Sequence, residues 1–555
     1  MKKFALALIL SVVSLNLNAQ NLDIIPIPVS SKQHKDQLPY QVNSASKIIV
    51  SNERLKPSAD FLIDYLSKYF QISLTGEQSN QEKPIILELN DQLGANKDTY
   101  TLTVNKDGVS IVGNSEAGVF YGIQTLIQLL TISPTQQQLN IHSVTITDYP
   151  RFDYRGMHLD VSRHFFDVAF IKRYIDYLAF HKMNYFHWHL TDDHGWRIEI
   201  KKYPKLTEIG GWRNGSIIGL WPGKGNEAIK YQVLPNEVKI TPKEAFIKTD
   251  GIKHGGYYTQ DEIKEVIDYA ANRYITIIPE IEMPAHSMAA LAAYPDLGTE
   301  PNKKYEVAQT WGMMNKYNNV FAPTEKTFSF LEDVLTEVID LFPSQYIHIG
   351  GDEASKIWWR QSVATQEMMR KNKLKDESAL QSYFIHRIEK FVNSKGKTII
   401  GWDEILDGGL APNAIVMSWR GEKGGITAAK LKQKVIMTPE DKLYINHAQF
   451  SKEDSLTAAK FLPLTTVYNY EPIPAELTVD QQKYIWGAQG NLWTEYIGSP
   501  EKVDYMLFPR LDALSEILWS PKASKNYNDF LKRLKTQFKR YDFMQINYSK
   551  RYLDK

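Results

Sequence analysis

The sequence of 555 residues contains no cysteine, so the chain carries no disulfide and lacks the thiol a lipoprotein anchor needs. Surplus charge of either sign is missing as well. The 65 basic and 64 acidic side chains leave a net of +1, which gives no electrostatic case for nucleic acid or an anionic membrane as partner. Beyond the first residues no run of 18 apolar side chains occurs, so no later segment reads as a membrane span. The N-terminus reads as a leader over residues 1–19: Lys2-Lys3, a short apolar run from Phe4 to Val13, and Asn18-Ala19-Gln20 with cleavage after Ala19. A buried first strand is the plain alternative, and the lysine pair ahead of the run argues against it. Export to a periplasm or to the cell exterior is expected.

A chain this long exceeds one ordinary core, and two or three domains are expected. Residues 20–150 mix strands at Ile48-Ile49-Val50 and Pro84–Leu89 with a helical spacing from Ser58 to Phe70. Two strands flank Asn105-Lys106-Asp107-Gly108, a hairpin signal, and Ser115 is placed to cap a helix running to Leu130. This reads as a small α/β domain without a catalytic grouping.

From 151 to 520 strand and helix signals alternate, the pattern of βα units. Candidate strands are Arg155–Asp160, Asn184–Leu190, Tyr274–Ile281, Tyr346–Ile349, Thr398–Trp402, Ala414–Ser418, Val435–Met437 and Tyr484–Gly487. Helices are expected at Val168–His181, Thr259–Arg273, Phe328–Leu341, Glu377–Asn393 and Lys502–Leu518. Eight such strands suit a (β/α)8 TIM barrel, with 521–555 as a helical tail packed on it. The stretch from Trp196 to Tyr258 fits no compact helix and is expected as a long loop over the second or third strand.

Polar or aromatic residues follow every candidate strand, at the end where barrels keep their chemistry. Ser162-Arg163-His164 follows the first, Asp192-Asp193-His194 the second, and Glu282, Pro284 and His286 the third. The fourth runs into Gly350-Gly351-Asp352-Glu353, where the glycines allow a sharp turn and close approach of a ligand. Trp402-Asp403-Glu404, Trp419-Arg420, Tyr444 with Asn446, and Asn491, Trp493 and Glu495 complete the set. Singly each is a cap or a snug aromatic; eight at one end describe a pocket. The 12 tryptophans gather beyond residue 150, and flat aromatic faces suit the C–H faces of pyranose rings.

The motifs His348-Ile349-Gly350-Gly351-Asp352-Glu353, Leu159–His164, His187–Asp193, Pro279–His286, Gly401–Glu404 and Asn491–Glu495 resemble those of glycoside hydrolase family 20, the β-N-acetylhexosaminidases. Gly118–Leu126 is similar to that family's small N-terminal domain, so the resemblance spans nearly the whole chain past the leader. It implies an exo-acting, retaining enzyme for terminal β-linked N-acetylglucosamine, with the choice between the gluco and galacto sugar left open, that works without a cofactor or catalytic metal. In the reaction it implies, the sugar's own 2-acetamido oxygen attacks and forms an oxazolinium ion. Glu353 is then the acid and base, and Asp352 orients the acetamido N–H. Asp192 and His286 form a relay to Glu353, and Tyr444 donates to the acetamido oxygen. Arg163 clamps sugar hydroxyls with Glu495 as its companion, and Trp402, Trp419 and Trp493 wall the sugar. Glu353 is expected with a raised pKa, through burial and the charge of Asp352. For His286 the plain alternative is a satisfied core histidine.

One position departs from the family pattern: an aspartate is common where this chain has Asn446, followed by His447. Relatives that accept 6-sulfated N-acetylglucosamine have Asn and then a basic residue, so the pair is read as sulfate tolerance, with an unrelated loop shift as the alternative. Two rival readings are a metal-dependent hydrolase built on His187 and His189, and a glycan-binding homologue without turnover.

Overall fold

A computed structural model describes residues 22–74, 83–132, 139–217, 249–311, 318–453 and 456–553. The expected leader, residues 1–19, lies outside them.

The N-terminal layer is a six-stranded sheet in the order Ser30–Gln33, Val144–Asp148, Tyr100–Asn105, Gly108–Gly113, Ile85–Leu89, Ile48–Val50. The expected hairpin forms with Asn105 opposite Gly108, and the Asn105 side chain accepts the Asp107 N–H at 2.8 Å. Helices Lys56–Phe70 and Glu116–Leu129 lie against the sheet, the second capped by Ser115, whose oxygen accepts from Gly118 N–H at 3.0 Å. Gly122 lets that helix sit close, since a Cβ there would be 2.5 Å from Ile111 Cγ2.

Eight parallel strands close into a barrel: β1 Tyr154–Asp160, β2 Tyr185–His189, β3 Thr276–Met283, β4 Tyr346–Gly350, β5 Thr398–Trp402, β6 Ile415–Ser418, β7 Val435–Met437 and β8 Ile485–Gly490, with β8 pairing back to β1. All eight lie where alternating signals place them. The helices expected at 168, 259, 328 and 377 form as Val168–Phe180, Gln260–Ala271, Glu325–Leu341 and Glu377–Ser394. The helix expected over Lys502–Leu518 is instead two, Pro500–Leu507 and Arg510–Trp519. Pro509 ends the first, because its ring removes an N–H and clashes with the preceding turn.

The barrel floor is aromatic. Tyr154 stacks on Tyr185 at 4.4 Å, and Trp486 packs on Tyr346 at 5.0 Å. Above it the interior turns polar: Tyr154 Oη donates to Gln489 Oε1 at 2.6 Å, and Gln489 Nε2 donates to His187 Nδ1 at 3.0 Å. The long 196–258 segment carries a short helix, Lys205–Glu208, and pairs Trp212–Arg213 with His254–Gly255; residues 218–248 lie outside the described set. It is tied to the rim beyond β1, where Arg197 donates to the carbonyls of Val161 at 3.0 Å, Gly211 at 2.7 Å and Gly256 at 3.0 Å.

The two layers share buried polar contacts. Lys182 Nζ donates to Tyr100 Oη at 2.9 Å and to Asp148 Oδ2 at 3.0 Å, and lies 4.5 Å over the Trp519 ring. Trp519 Nε1 donates to the same Asp148 oxygen at 2.9 Å. Helix Tyr527–Met544 touches both layers, since Arg533 pairs with Glu516 at 2.6 and 2.7 Å and donates to the Ile24 carbonyl at 2.9 Å.

Candidate active site

The carboxyl ends of the strands supply the site. β4 leaves the barrel through Gly350 at φ +67° and Gly351 at φ +95°, and delivers Asp352 and Glu353 side by side. A ligand was expected against those glycines, but at Gly350 a side chain takes the space: a Cβ there would be 1.7 Å from Glu282 Oε2. Glu353 at φ +45° and His286 at φ +46° both hold the left-handed region that non-glycine residues rarely adopt. Strain of this kind persists where the surroundings over-determine it, and it concentrates at working sites.

His286 joins the carboxylates. Its Nδ1 lies 3.4 Å from Asp192 Oδ1 and 3.3 Å from Asp193 Oδ2, while its Nε2 lies 3.5 Å from both Asp352 Oδ2 and Glu353 Oε2. Burial opposes the charge on this ring, but Asp192 and Asp352 outweigh it and hold the imidazole well above its ordinary range. The raised value favours the charged ring, and contacts with four carboxyl groups set this histidine apart from an apolar core. The raised pKa expected for Glu353 is not found. The His286 hydrogen bond, against the opposing effect of burial, holds this carboxyl below its usual range, and its side chain is 40% exposed. The reason is geometric: the charge Glu353 faces is the cation of His286 rather than the anion of Asp352.

Asp192 at the end of β2 is buried, and burial alone would raise its pKa. Arg163 and His286 instead keep it well below. Arg163 Nη2 lies 2.9 Å from Asp192 Oδ2 and its Nη1 3.4 Å from Asp160 Oδ2, with the guanidinium 5.0 Å over the Trp493 ring. Glu495, the expected companion, is half-buried. Burial raises its pKa and Arg163 opposes the rise, but the close ion pairs of Arg163 go to Asp192 and Asp160.

Four aromatic rings form a continuous wall. Trp402 and Trp493 are 5.9 Å apart, Trp493 and Tyr444 6.3 Å, and Tyr444 and Trp419 6.2 Å at an interplanar angle of 20°. Trp402 is fully buried and its indole N–H donates to Glu280 Oε1 at 2.9 Å; Trp419 donates to Glu404 Oε2 at 2.9 Å. Burial holds the Tyr444 phenol well above its ordinary range, so it is a hydroxyl donor. Asn446 is buried, and among the described residues its Oδ1 has no partner. His447 does not provide the expected cation: burial lowers its pKa, and its Nε2 is turned to Glu440 at 3.6 Å.

Sequence reasoning missed the layer beneath. Glu280 on β3 receives Trp402, lies 2.8 Å from His348 Nδ1 and 3.0 Å from His187 Nε2, and contacts His189 Nδ1 closely. His189 Nε2 then lies 3.0 Å from Asp192 Oδ2, so the hub connects to the relay. Both ring nitrogens of His189 are thus engaged, and this is where the pair read as metal ligands goes. Ligand atoms of three groups do lie within 4.8 Å of one another: His158/His189/Glu280, His187/Glu280/His348 and Asp192/Asp193/His286. The signal was in the sequence, as polar residues at alternate interior positions: His158 and Asp160, His187 and His189, Glu280 and Glu282.

This hub fixes how stability depends on pH. Burial works against charging His189, yet Glu280 and Asp192 push it up to about 10, so its contribution is complete below its ordinary 6.5 and is lost as pH rises through about 10. Asp192 and Glu280 are depressed, so their contributions are lost as pH falls below the ordinary carboxylate range. His187, lowered by burial to about 4, adds to the acid loss below 6.5. The thermal midpoint is expected to be highest near pH 6.5 and to fall on both sides, with His189→Gln flattening the alkaline fall. A midpoint that climbs from neutral into alkaline pH would contradict this assignment.

Comparison with known proteins agrees with the architecture. Residues 152–522 match glycosyl hydrolase family 20, catalytic domain, and residues 21–149 match domain 2 of the same family. A β-hexosaminidase of Porphyromonas gingivalis is 42% identical over 538 residues, 95% of this chain and 64% of that one. The chain thus spans somewhat less than two thirds of that relative. A β-hexosaminidase of Vibrio furnissii is 34% identical over 90% of this chain and 76% of its own length. The crystal structure of a family 20 exo-β-N-acetylglucosaminidase from Vibrio harveyi with N-acetylglucosamine superposes with a TM-score of 0.81, at 33% identity over 96% of this chain and 78% of that one. Streptomyces plicatus N-acetyl-β-hexosaminidase in complex with Thio-NAglucal gives 0.76, at 28% identity over 95% and 96%. With the closed barrel, the strand-end acids and a family match over most of its length, this chain belongs to glycosyl hydrolase family 20.

Proposed function

We propose that this chain is an exo-β-N-acetylhexosaminidase that removes terminal β-linked N-acetylglucosamine with retention, using the sugar's acetamido oxygen as nucleophile. The observation that carries the reading is that Asp352 and Glu353 are consecutive and both meet His286 Nε2 at 3.5 Å. Two carboxyl groups fixed on one ring nitrogen cannot flank a sugar from opposite faces, as an enzymic nucleophile and its acid must, about 5–5.5 Å apart. They suit an attack that the substrate makes itself. The relatives named for N-acetylglucosaminidase and β-hexosaminidase activity support the same reading.

Glu353 gives a proton to the leaving oxygen as the acetamido oxygen closes on the anomeric carbon, then takes one from the water that opens the oxazolinium ion. The proton for the first step is held at His286 Nε2, across the 3.5 Å contact from Glu353 Oε2, with Asp192 stabilising the imidazolium. A sugar ring seated over the exposed side of Glu353 would take it out of water, which raises its pKa and moves that proton onto it. Asp352 accepts the acetamido N–H and stabilises the positive charge that develops. Tyr444 donates to the acetamido oxygen, holding the attacking atom in line. Arg163 binds the sugar hydroxyls, with Glu495 in its field, and Trp402, Trp419 and Trp493 enclose the ring.

Tolerance of a 6-sulfate now rests on Asn446 alone, since a neutral amide there avoids the repulsion a carboxylate would exert. A panel of aryl glycosides tests the assignment: N-acetylglucosaminide is expected to turn over, 6-sulfated N-acetylglucosaminide to be hydrolysed and to lose rate in Asn446→Asp. An N-acetylgalactosaminide arm reads the gluco–galacto preference. No release from any N-acetylhexosaminide would end the proposal, and silence on the sulfated sugar alone would end only its second part. We also propose that the chain is exported, from its N-terminal leader; among the described residues no helix is long and apolar enough to cross a membrane.

A further inference from the structure

Two carboxyl groups at the base of the site lack a donor. Among the described residues, both oxygens of Glu282 are buried without a hydrogen-bond partner, and so is Oδ1 of Asp352. Glu282 is 2% exposed and Asp352 8%. The backbone N–H of Glu282 donates to Thr191 Oγ1 at 2.9 Å, which sets β3 against the end of β2. The side chain then crosses to β4, where its Oε2 occupies the space beside Gly350, two residues before Asp352. A buried carboxylate with neither oxygen satisfied, its Oε2 beside the turn that leads to a second under-satisfied carboxyl, is among the costliest arrangements in a protein interior. One proton resolves it, because a carboxylic acid donates to a carboxylate in a short, charge-assisted hydrogen bond.

We propose that Glu282 is a carboxylic acid whose O–H donates to Asp352 Oδ1, keeping Asp352 ionised and aimed at the acetamido group. The inference rests on the substrate-assisted reading for its catalytic meaning, though not for the hydrogen bond itself. Glu282 is a positioning residue: it acts through Asp352 and touches no reacting atom. With Oδ1 held by Glu282 and Oδ2 facing His286, the carboxylate has a donor on each side and one orientation. The titratable groups whose charges act on Glu282 are Asp352 beyond β4, Glu280 on its own strand, His286 in the loop after β3 and Asp192 at the end of β2. Burial raises the Glu282 pKa well above the ordinary carboxyl range, Asp352 and Glu280 raise it further, and His286 opposes them.

Infrared difference spectra of the full chain at pH 7 test the hydrogen bond without any substrate. Wild type minus Glu282→Gln is expected to show the carbonyl stretch of a protonated carboxylic acid, and Asp352→Asn is expected to shift that band by removing its charged acceptor. The subtraction is needed because Glu404, pushed up to about 8 by burial, Asp352 and Asp403, is a second protonated acid nearby. If Glu282→Gln fails to fold, the shift between Glu404→Gln and the Glu404→Gln/Asp352→Asn double variant carries the test alone, because Glu404 also feels Asp352. In turnover, Glu282→Met is expected to lower kcat about 100-fold with KM changed less than about threefold, and Glu282→Gln, which keeps a donor, to recover about tenfold of that loss. Absence of the band, or equal activity of the Met and Gln variants, would overturn the proposal. Absence of turnover in wild type, with the band present, would instead overturn the substrate reading and leave the hydrogen bond standing.

Discussion

Glu353→Gln is expected to lower kcat on an aryl N-acetyl-β-glucosaminide by about 10³–10⁴-fold, the upper part of the range for a lost general acid and base. The amide fills the same volume but has no proton to give the leaving oxygen. Folding should be little affected, because the side chain is 40% exposed and its ion pair among the described residues is to His286. The loss must depend on the leaving group. A dinitrophenolate departs without help, so the first step recovers and the base-assisted opening of the oxazolinium ion becomes limiting. Rates for a series of aryl substrates, wild type against variant, measure this directly. A loss below tenfold, or one equal for every leaving group, would remove Glu353 from its role.

The second large effect lies on the substrate. Exchange of the 2-acetamido group for a hydroxyl is expected to reduce kcat/KM by about 10⁴-fold or more, because it deletes a nucleophile held in place at high effective molarity. Asp352→Asn should then cost about 10²–10³-fold on the N-acetyl substrate, the scale of one removed electrostatic contact, and almost nothing further on the hydroxyl analogue. That non-additivity is the discriminating result: acid and acetamide act as one unit, so losing either forfeits the same interaction. A thiazoline mimic of the cyclised intermediate should bind far more tightly to wild type than to the variant. If the hydroxyl analogue were cleaved as fast as the N-acetyl substrate, the attacking atom would have to come from the protein.

Much of this was legible from local pattern. The eight strands are found by alternation and by the polar residues that follow them, and Asp352, Glu353, Asp192, His286, Arg163 and the aromatic wall converge at one rim as expected. Capping at Ser115 and the hairpin at 105–108 were equally local. What escaped depends on partners brought in from other strands. Whether Glu353 sits high or low is set by a histidine 67 positions away, and no spacing announces that the space beside Gly350 belongs to Glu282. His447 follows Asn446 in sequence, yet it is turned to Glu440, so adjacency alone misplaced its charge. A carboxylate inside a strand of isoleucines looks like an exception, while in the barrel partners from β2, β4 and β5 make Glu280 a hub. The Pro509 break was readable, and an unbroken apolar spacing across Lys502–Leu518 hid it.

The contact of Lys182 and Trp519 on Asp148 bears on how this architecture can be rearranged. A catalytic half expressed without the first 150 residues would lose the Asp148 acceptor that Lys182 and Trp519 share and open both buried side chains to water. Shuffling of the amino-terminal unit among relatives would have to carry these partners as a set. The small unit is thus a keystone rather than an ornament, and the chain should evolve and be engineered as one piece.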